Sequence, residues 1–137
     1  MTNKDLTIII TTFKSEDKIE NCLNSINTSI NVIIVENSNN EKFKHYIEKK
    51  YPNVNCMLTN QNLGYGKANN VGLRKATSKY SLILNPDTVL DTEAINNFFI
   101  LSKKNINFAM AGPAQSKKEF ALVSSLENKN LNFLETD

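Results

Sequence analysis

The chain has 137 residues, a formal net charge of +2 and an isoelectric point near 8.5. Hydrophobic residues make up 40% and charged residues 22%, which predicts one globular domain over residues 1–137 and excludes a disordered chain. The small net charge and the lack of any long basic cluster argue against a nucleic-acid-binding protein.

The two cysteines and the hydropathy of the chain bear on its location. Cys22 and Cys56 lack metal-binding spacing and lie among apolar neighbours, so we predict buried free thiols. The run LTIII is too short for a signal-peptide core, and no run approaches the length of a membrane span. We therefore expect a protein of the reducing cytoplasm.

The first predicted strand is Leu6–Thr11, whose continuous apolar and β-branched run indicates burial on both faces. Ser15 is the predicted N-cap of a helix, with Glu16 and Asp17 at its positive end. Val32–Val35 is predicted as a second buried strand. The helix between the two strands has an amphipathic face of Ile19, Cys22, Leu23 and Ile26.

A second helix is predicted from Glu41 to Lys50, ended by Pro52 and followed by a weaker third strand at Val54–Leu58. The residues predicted to point inward from this helix are Phe43, Tyr46 and Ile47. Strands that alternate with helices predict βαβ units and a mostly parallel sheet.

The stretch Asn60–Asp87 reads as loop, glycine turn, helix and strand. The glycine turn is Leu63–Gly66, the helix is Lys67–Ala76, and the strand is Tyr80–Leu84, an apolar run typical of burial. Pro86 ends the strand, so Asp87 lies just beyond its carboxyl end. Small residues that let the helix lie close to the sheet recur at Ala68, Gly72 and Ala76.

The last third of the chain has weaker signals. Asp91 or Thr92 is the predicted cap of another helix, and short strands are predicted at Phe108–Ala111 and Glu119–Ser124. The stretch Leu126–Asp137 is polar and has no predicted structure. The residues predicted to point inward from the helix are Ile95, Phe98, Phe99 and Leu101.

Polar clusters follow four predicted strands, at the edge where open α/β sheets bind ligands. Taken alone, Asp87 is as readily a turn former and Glu36 a solvated side chain, because strand-to-helix loops are polar in general. Their joint placement favours a ligand site, and a carboxylate beside a glycine loop suits a divalent cation on a diphosphate. A Walker loop and a full dinucleotide fingerprint are absent. The clusters are Thr11-Thr12, Glu36–Ser38, Asn60–Gly66 and Asn85–Asp87.

These motifs resemble the donor-binding half of family 2 glycosyltransferases, which have the GT-A fold, and the rhamnosyltransferase-like members in particular. Thr12-Phe13-Lys14 matches the family's Thr-aromatic-Asn except at Lys14, and Glu36-Asn37-Ser38 matches Asp-Asn-x-Ser with Glu for Asp. The stretch Asn62–Asn70 follows Asn-x-Gly-aromatic-Gly-x-Ala-x-Asn closely, and Asn85-Pro86-Asp87 matches the metal motif. The likeness covers Leu6 to about Pro113 and, with the βαβ pattern, predicts the core strand order 3-2-1-4.

The resemblance implies a site for a UDP- or dTDP-linked sugar. Glu36 would accept the ring N–H of the pyrimidine, and Asp87 would hold Mg²⁺ or Mn²⁺ directly or through water. Asn85 would replace the usual first carboxylate with a neutral oxygen ligand, and Lys67 would lie near the phosphates. The full set of implied nucleotide-sugar-binding residues is Thr11, Thr12, Glu36, Asn37, Asn62, Gly64, Lys67, Asn85 and Asp87.

The resemblance also implies sugar transfer with inversion to a saccharide or lipid-linked acceptor, as in polysaccharide biosynthesis at the inner face of the membrane. The family's general base lies in a second, acceptor-binding half, which we expect to be missing here. Uncovered apolar surface would then favour a homodimer. The alternatives are a catalytically silent nucleotide-sugar-binding module and a flavodoxin-like regulatory domain. Carboxylates that do not match the base position are Glu119, Glu127, Glu135 and Asp137.

Overall fold

A computed structural model describes residues 2–91 and 93–104 of the chain. Four parallel strands form a sheet in the order β3-β2-β1-β4. This order confirms the prediction, with the first strand between the second and the fourth. The strands are β1 (Leu6–Thr12), β2 (Asn31–Glu36), β3 (Val54–Leu58) and β4 (Tyr80–Leu84).

Helices follow each of the four strands, after a short 3₁₀ turn at Asn3–Asp5. The longest of them have 11 residues, so no helix in the described ranges is both long and apolar enough to cross a membrane. The helices are α1 (Ile19–Asn24), α2 (Glu41–Lys50), α3 (Tyr65–Lys75) and α4 (Ala94–Lys104).

The chain divides into two compact units, Met1–Ile95 and Asn96–Asp137. The first unit holds the sheet, α1, α2, α3 and all the loops considered below. Of the second unit, the structure describes residues 96–104. The predictions that fall outside the described residues concern Thr92 and the stretches Phe108–Ala111, Glu119–Ser124 and Leu126–Asp137.

The core is built on β1 and β2. All seven residues of β1 are buried, as its unbroken run of β-branched side chains predicts for a strand covered on both faces. In the parallel register Thr12 lies opposite Glu36, so the polar ends of the two central strands are brought together.

The middle of α3 lies very close to this central pair of strands. A Cβ atom added to Gly72 would lie 2.5 Å from Cγ2 of Ile9 and 3.2 Å from Cγ2 of Val35. Ala68 is fully buried, which confirms that small residues form the packed face. Ala76, the third small residue, is the C-cap of the helix.

The predicted start of α1 was wrong. The helix begins at Ile19 with Lys18 as its N-cap, because the Ser15 hydroxyl donates to the Phe13 carbonyl instead of capping the free N–H groups of the helix. Ile26 is buried as predicted but lies beyond the end of the helix. Conversely, α3 begins two residues before the predicted start, at Tyr65.

Two predictions of burial were also wrong. Tyr46 is half exposed, because its hydroxyl donates to Glu20 on the outer surface, although Phe43 and Ile47 are buried as predicted. β4 pairs with β1 alone among the described strands, and its residues alternate in exposure, with Ile83 39% exposed. Among the described strands β4 therefore lies at the edge of the sheet, where the sequence predicted a buried strand.

Candidate functional site

A cleft of about 440 Å³ opens at the carboxyl ends of the strands, within the first unit. Its lining includes six of the nine predicted site residues: Thr11, Asn37, Asn62, Gly64, Asn85 and Asp87. Thr12, Glu36 and Lys67 do not line it. The remaining lining residues, which the sequence did not single out as ligands, are Phe13, Ser15, Lys18, Tyr65 and Pro86.

The loops around this edge carry unusual backbone. Within the described residues, positive φ angles occur at Lys14 (52°), Asn39 (59°), Asn60 (61°) and Gly64 (75°). Each lies in a loop that leaves β1, β2 or β3. Residues other than glycine rarely have a positive φ angle, and asparagine tolerates it better than most. Lys14 is therefore the unusual one of the four residues. Backbone strain of this kind clusters at functional edges.

Asn37 ties the glycine loop to the end of β2. Its side chain is buried, and its Oδ1 accepts from Thr59 Oγ1 at 3.0 Å and from Leu63 N at 3.3 Å. Its Nδ2 donates to the Gly64 carbonyl at 3.4 Å. Asn37 therefore fixes the position of the loop that enters α3.

The glycine loop leads directly into the helix. Asn62 Oδ1 accepts from Gly64 N at 2.9 Å, which closes a tight turn. The Gly64 carbonyl accepts the first helical bond, from Ala68 N at 3.1 Å. Because Gly64 lines the cleft, the amino end of α3 and its unsatisfied N–H groups lie at the site.

Glu36 is occupied by its own loop. The side chain is 1% exposed, and its Oε1 accepts from the backbone N–H and the hydroxyl of Ser38. Its Oε2 accepts from Asn40 N at 2.7 Å, and Asn40 in turn caps α2. Thr12, opposite Glu36 in the sheet, is also buried, and its hydroxyl has no partner in the described part of the chain.

A buried hydrogen bond connects the end of β1 to α3. Thr11 Oγ1 donates to Asn69 Oδ1 at 2.7 Å, and both side chains are buried. The second asparagine of the motif, Asn70, is only partly buried. Asn69 therefore completes a polar link beneath the cleft that sequence spacing did not single out.

The turn at Asn85–Asp87 is held from three sides. Thr88 N donates to the Asn85 carbonyl at 3.1 Å, and Cys22 Sγ donates to the same oxygen at 3.6 Å. The Tyr65 hydroxyl donates to Asn85 Oδ1 at 2.8 Å. Asp87 is left exposed at the cleft.

Cys22 stays a neutral donor in this arrangement. Its burial, and then the nearby charge of Asp87, raises the pKa of the thiol to about 11. Burial similarly raises the pKa of Cys56 to about 12. The prediction of two buried free thiols is therefore confirmed.

The donor set of the cleft can be tested against a divalent cation. No group of three or more His, Cys, Asp and Glu side chains that could hold a metal occurs among residues 2–91 and 93–104. Asp87 is the acidic residue among those that line the cleft. One exposed carboxylate fits the way in which Mg²⁺ is usually held beside phosphates, with water and phosphate oxygens as the other ligands.

The lysine that lines the cleft is not the one that the resemblance implied for the phosphates. Lys67 is exposed on α3 outside the cleft lining, whereas Lys18 lines the cleft from the N-cap of α1. The sequence signal for Lys18 was weak, because it depended on where α1 begins. Phe13 had a clearer signal, an aromatic residue directly after a buried strand, and it is 45% exposed beside the cleft.

Comparisons with known proteins bear on the family of the chain. The family model described as glycosyl transferase family 2 matches residues 7–129. The chain is 26% identical over 119 residues to the low-salt glycan biosynthesis hexosyltransferase Agl10 of Haloferax volcanii, covering 84% of this chain and 38% of that protein. It is 30% identical over 119 residues to the teichoic acid poly(glycerol phosphate) polymerase of Staphylococcus epidermidis, covering 81% of this chain and 16% of that protein.

A solved structure supports the fold. The crystal structure of Staphylococcus aureus TarS residues 1–349 superposes with a TM-score of 0.65 at 20% identity. The match covers 81% of this chain and 38% of that one. The chain thus spans well under half the length of each of these relatives.

Proposed function

The chain belongs to glycosyl transferase family 2, and we propose that it binds a UDP- or dTDP-linked sugar in the cleft and supports transfer of that sugar. The observation that carries the proposal is the cleft itself. It places the exposed carboxylate of Asp87 beside the amino end of α3, at the edge where α/β sheets bind nucleotides. A diphosphate bound there would meet both a metal-binding group and unsatisfied N–H donors.

The cleft residues would divide the work on the diphosphate. Asp87 would hold Mg²⁺ or Mn²⁺, which supplies positive charge to the leaving diphosphate. The N–H groups after Gly64 and the ammonium of Lys18 would add to that stabilisation. Lys67 does not line the cleft, so it would contact a phosphate only from outside the cleft.

The nucleoside would lie towards β1 and β2, beside Thr11 and the Thr12 backbone. Direct recognition of the pyrimidine by Glu36 requires its loop to rearrange, because the side chain is 1% exposed and is held by bonds from Ser38 and Asn40. In the present conformation we propose that Glu36 shapes the loop and that Asn37 holds the glycine loop against the ligand.

The relatives suggest the acceptor class. One relative's name describes glycan biosynthesis and the other's a teichoic acid polymerase, so we propose a saccharide or lipid-linked acceptor in the assembly of a polysaccharide. On the resemblance to the family, we further propose inversion, a cytoplasmic location and peripheral association with the membrane. A homodimer stays a prediction.

A catalytically silent nucleotide-sugar-binding module is the second candidate. It is favoured by the composition of the cleft, in which Asp87 is the carboxylate among the described lining residues. If Asp87 holds the metal, no second carboxylate among the described lining residues is left to deprotonate an acceptor hydroxyl. General base catalysis is worth about 10² to 10⁴ in rate, so a cleft without a base would support slow transfer at most.

Binding is tested by calorimetry with UDP and dTDP, with and without Mn²⁺. The wild type should bind more tightly with Mn²⁺, and Asp87→Ala should lose that gain, about 10- to 100-fold, because an ionic contact is removed. Asp17→Ala removes an exposed aspartate outside the cleft lining and should behave as the wild type. Equal metal-assisted affinity in wild type and Asp87→Ala would refute the site.

Turnover separates the two candidate functions. A radiolabelled donor is incubated with the purified chain and a panel of free and lipid-linked saccharides. Repeated turnover to a defined glycoside would favour the transferase and show that the chain carries its own base. Binding of the donor with only slow hydrolysis would favour the silent module.

A further inference from the structure

The two oxygen atoms of Asn85 have hydrogen-bond partners in the protein, and its side-chain amino group has none among the described residues. Its backbone carbonyl accepts from Thr88 N at 3.1 Å and from Cys22 Sγ at 3.6 Å. Its side-chain Oδ1 accepts from the Tyr65 hydroxyl at 2.8 Å. Both oxygens of this residue are therefore engaged by protein donors.

The side-chain amino group is the part of Asn85 with both of its donors left for a ligand, whereas Oδ1 already accepts one bond and keeps a single lone pair. Nδ2 has no hydrogen-bond partner within the described residues, and the side chain is exposed in the lining of the cleft beside Asp87. An amide NH₂ group donates two hydrogen bonds and has no lone pair for a cation. It suits an anionic oxygen and not a metal ion.

We propose that Tyr65 is a positioning residue that fixes Asn85 as a hydrogen-bond donor to the diphosphate of the nucleotide, so that Asn85 does not bind the cation. The inference rests on the proposed function and deepens it. It changes the role that the metal motif implies for Asn85, a neutral oxygen ligand, and leaves Asp87 as the protein's contribution to the metal.

The link between Tyr65 and Asn85 also connects two parts of the site. Tyr65 is the first residue of α3, directly after Gly64, and Asn85 follows β4. The same hydroxyl could instead accept from Nδ2, which would turn Oδ1 towards the cleft and make Asn85 a metal ligand. The two orientations make opposite predictions for metal affinity.

The experiment measures metal and nucleotide separately. Free Mn²⁺ is counted by electron paramagnetic resonance with the protein in excess over UDP, because unbound UDP itself chelates Mn²⁺, and UDP affinity is measured by calorimetry at saturating Mn²⁺. Asn85→Ala should keep Mn²⁺ affinity within about twofold and weaken UDP about three- to tenfold, the loss expected for one or two hydrogen bonds. Asn85→Asp should tighten Mn²⁺ binding, because it adds a second carboxylate.

Tyr65→Phe tests the positioning step with a matched control. It removes the hydroxyl and keeps the ring. It should weaken UDP binding by up to the roughly three- to tenfold factor expected for Asn85→Ala, without weakening Mn²⁺ binding. Tyr51→Phe removes the same type of bond, Tyr51 Oη to Asn24 Oδ1 at 2.9 Å, outside the cleft lining. It should change neither affinity. Thermal melts of each variant confirm that it is folded.

Two results would overturn the inference. The first is loss of Mn²⁺ affinity in Asn85→Ala by the same factor as in Asp87→Ala, which would make Asn85 a ligand. The second is a Tyr65→Phe variant that cannot be told from Tyr51→Phe. If the wild type binds no UDP with any divalent ion, the proposed function fails and this inference fails with it. That outcome is distinct from a wild type that binds UDP and variants whose Mn²⁺ affinities contradict the inference.

Discussion

The first turn of α3 and its middle belong to one continuous helix but meet different surroundings. In the middle, Ala68 is fully buried and Gly72 lies against Ile9 and Val35. In the first turn, Tyr65 is 53% exposed and borders the cleft after Gly64. One end of the helix therefore contributes to stability by packing, and the other presents backbone and side-chain groups to a ligand.

Gly64, Gly66 and Gly72 show how the requirements differ between the start of α3 and its middle. A Cβ on Gly72 would collide with the core, whereas a Cβ on Gly64 or Gly66 would meet nothing within 4 Å. Gly64 is required for another reason, because its φ of 75° with ψ of 167° is nearly closed to other residues. The same residue type thus serves close packing at one position and backbone conformation at another.

The largest effect is expected where α3 packs on the sheet. Gly72→Ala should lower the free energy of unfolding by about 1 to 3 kcal/mol, because the new methyl group overpacks the core. Urea unfolding followed by circular dichroism measures the change. Gly66→Ala, in the exposed first turn, should be neutral or stabilising by up to about 1 kcal/mol.

A double-mutant cycle sharpens this prediction. Ile9→Ala alone should cost about 2 to 5 kcal/mol, because it leaves a cavity in the core. In that background Gly72→Ala should cost less than in the wild type, since Cγ2 of Ile9 is the atom that it meets. Strict additivity of the two substitutions would show that the close contact is absent.

A smaller loss of stability is expected at the cleft end of the helix. Gly64→Ala should cost about 1 to 2 kcal/mol, because alanine is strained at this backbone conformation. It should also weaken UDP binding, since the loop that lines the cleft must shift. Gly72→Ala, measured below its melting temperature, should leave UDP affinity unchanged. If both variants lost stability and affinity in the same proportion, the two ends of α3 would not be separable.

A gain in stability is expected where a residue other than glycine has a positive φ angle. Lys14 holds a φ of 52° after β1, and Lys14→Gly should raise the free energy of unfolding by up to about 1 kcal/mol because the strain is relieved. Lys14→Ala is the matched control, since it removes the same charge and keeps the strain. A glycine variant no more stable than the alanine variant would contradict a strained loop.

The smallest effect concerns an ion pair outside both regions. Hydrogen bonds from Lys50 and then Tyr46 lower the pKa of Glu20, so its stabilising contribution is present above pH 4.5 and is lost as the pH falls through the lowered value. Glu20→Gln should therefore lose less stability between pH 5 and pH 3 than the wild type. Parallel pH profiles of the two proteins would show that the exposed pair contributes nothing.

Sequence patterns were sufficient for the elements that are decided locally. β1 and β2 are runs of β-branched residues, and the bounds of α2, β3 and β4 were predicted to the residue. The motifs from Asn62 and from Asn85 also placed most of the cleft lining correctly. Such features depend on neighbours along the chain, which periodicity and turn chemistry describe well.

Only the tertiary structure decided which polar group faces the cleft. Asn37 and Gly64 are 27 residues apart, and Tyr65 and Asn85 are 20 apart, yet each pair is joined by a hydrogen bond across two loops. Glu36 is held within its own loop, and Lys18 lines the cleft whereas Lys67 does not. The sequence determined the strands, the helices and the edge at which the loops meet. Hydrogen bonds between segments distant in the chain decided the use of Asn37, Tyr65 and Asn85, because such bonds depend on geometry that no local pattern carries.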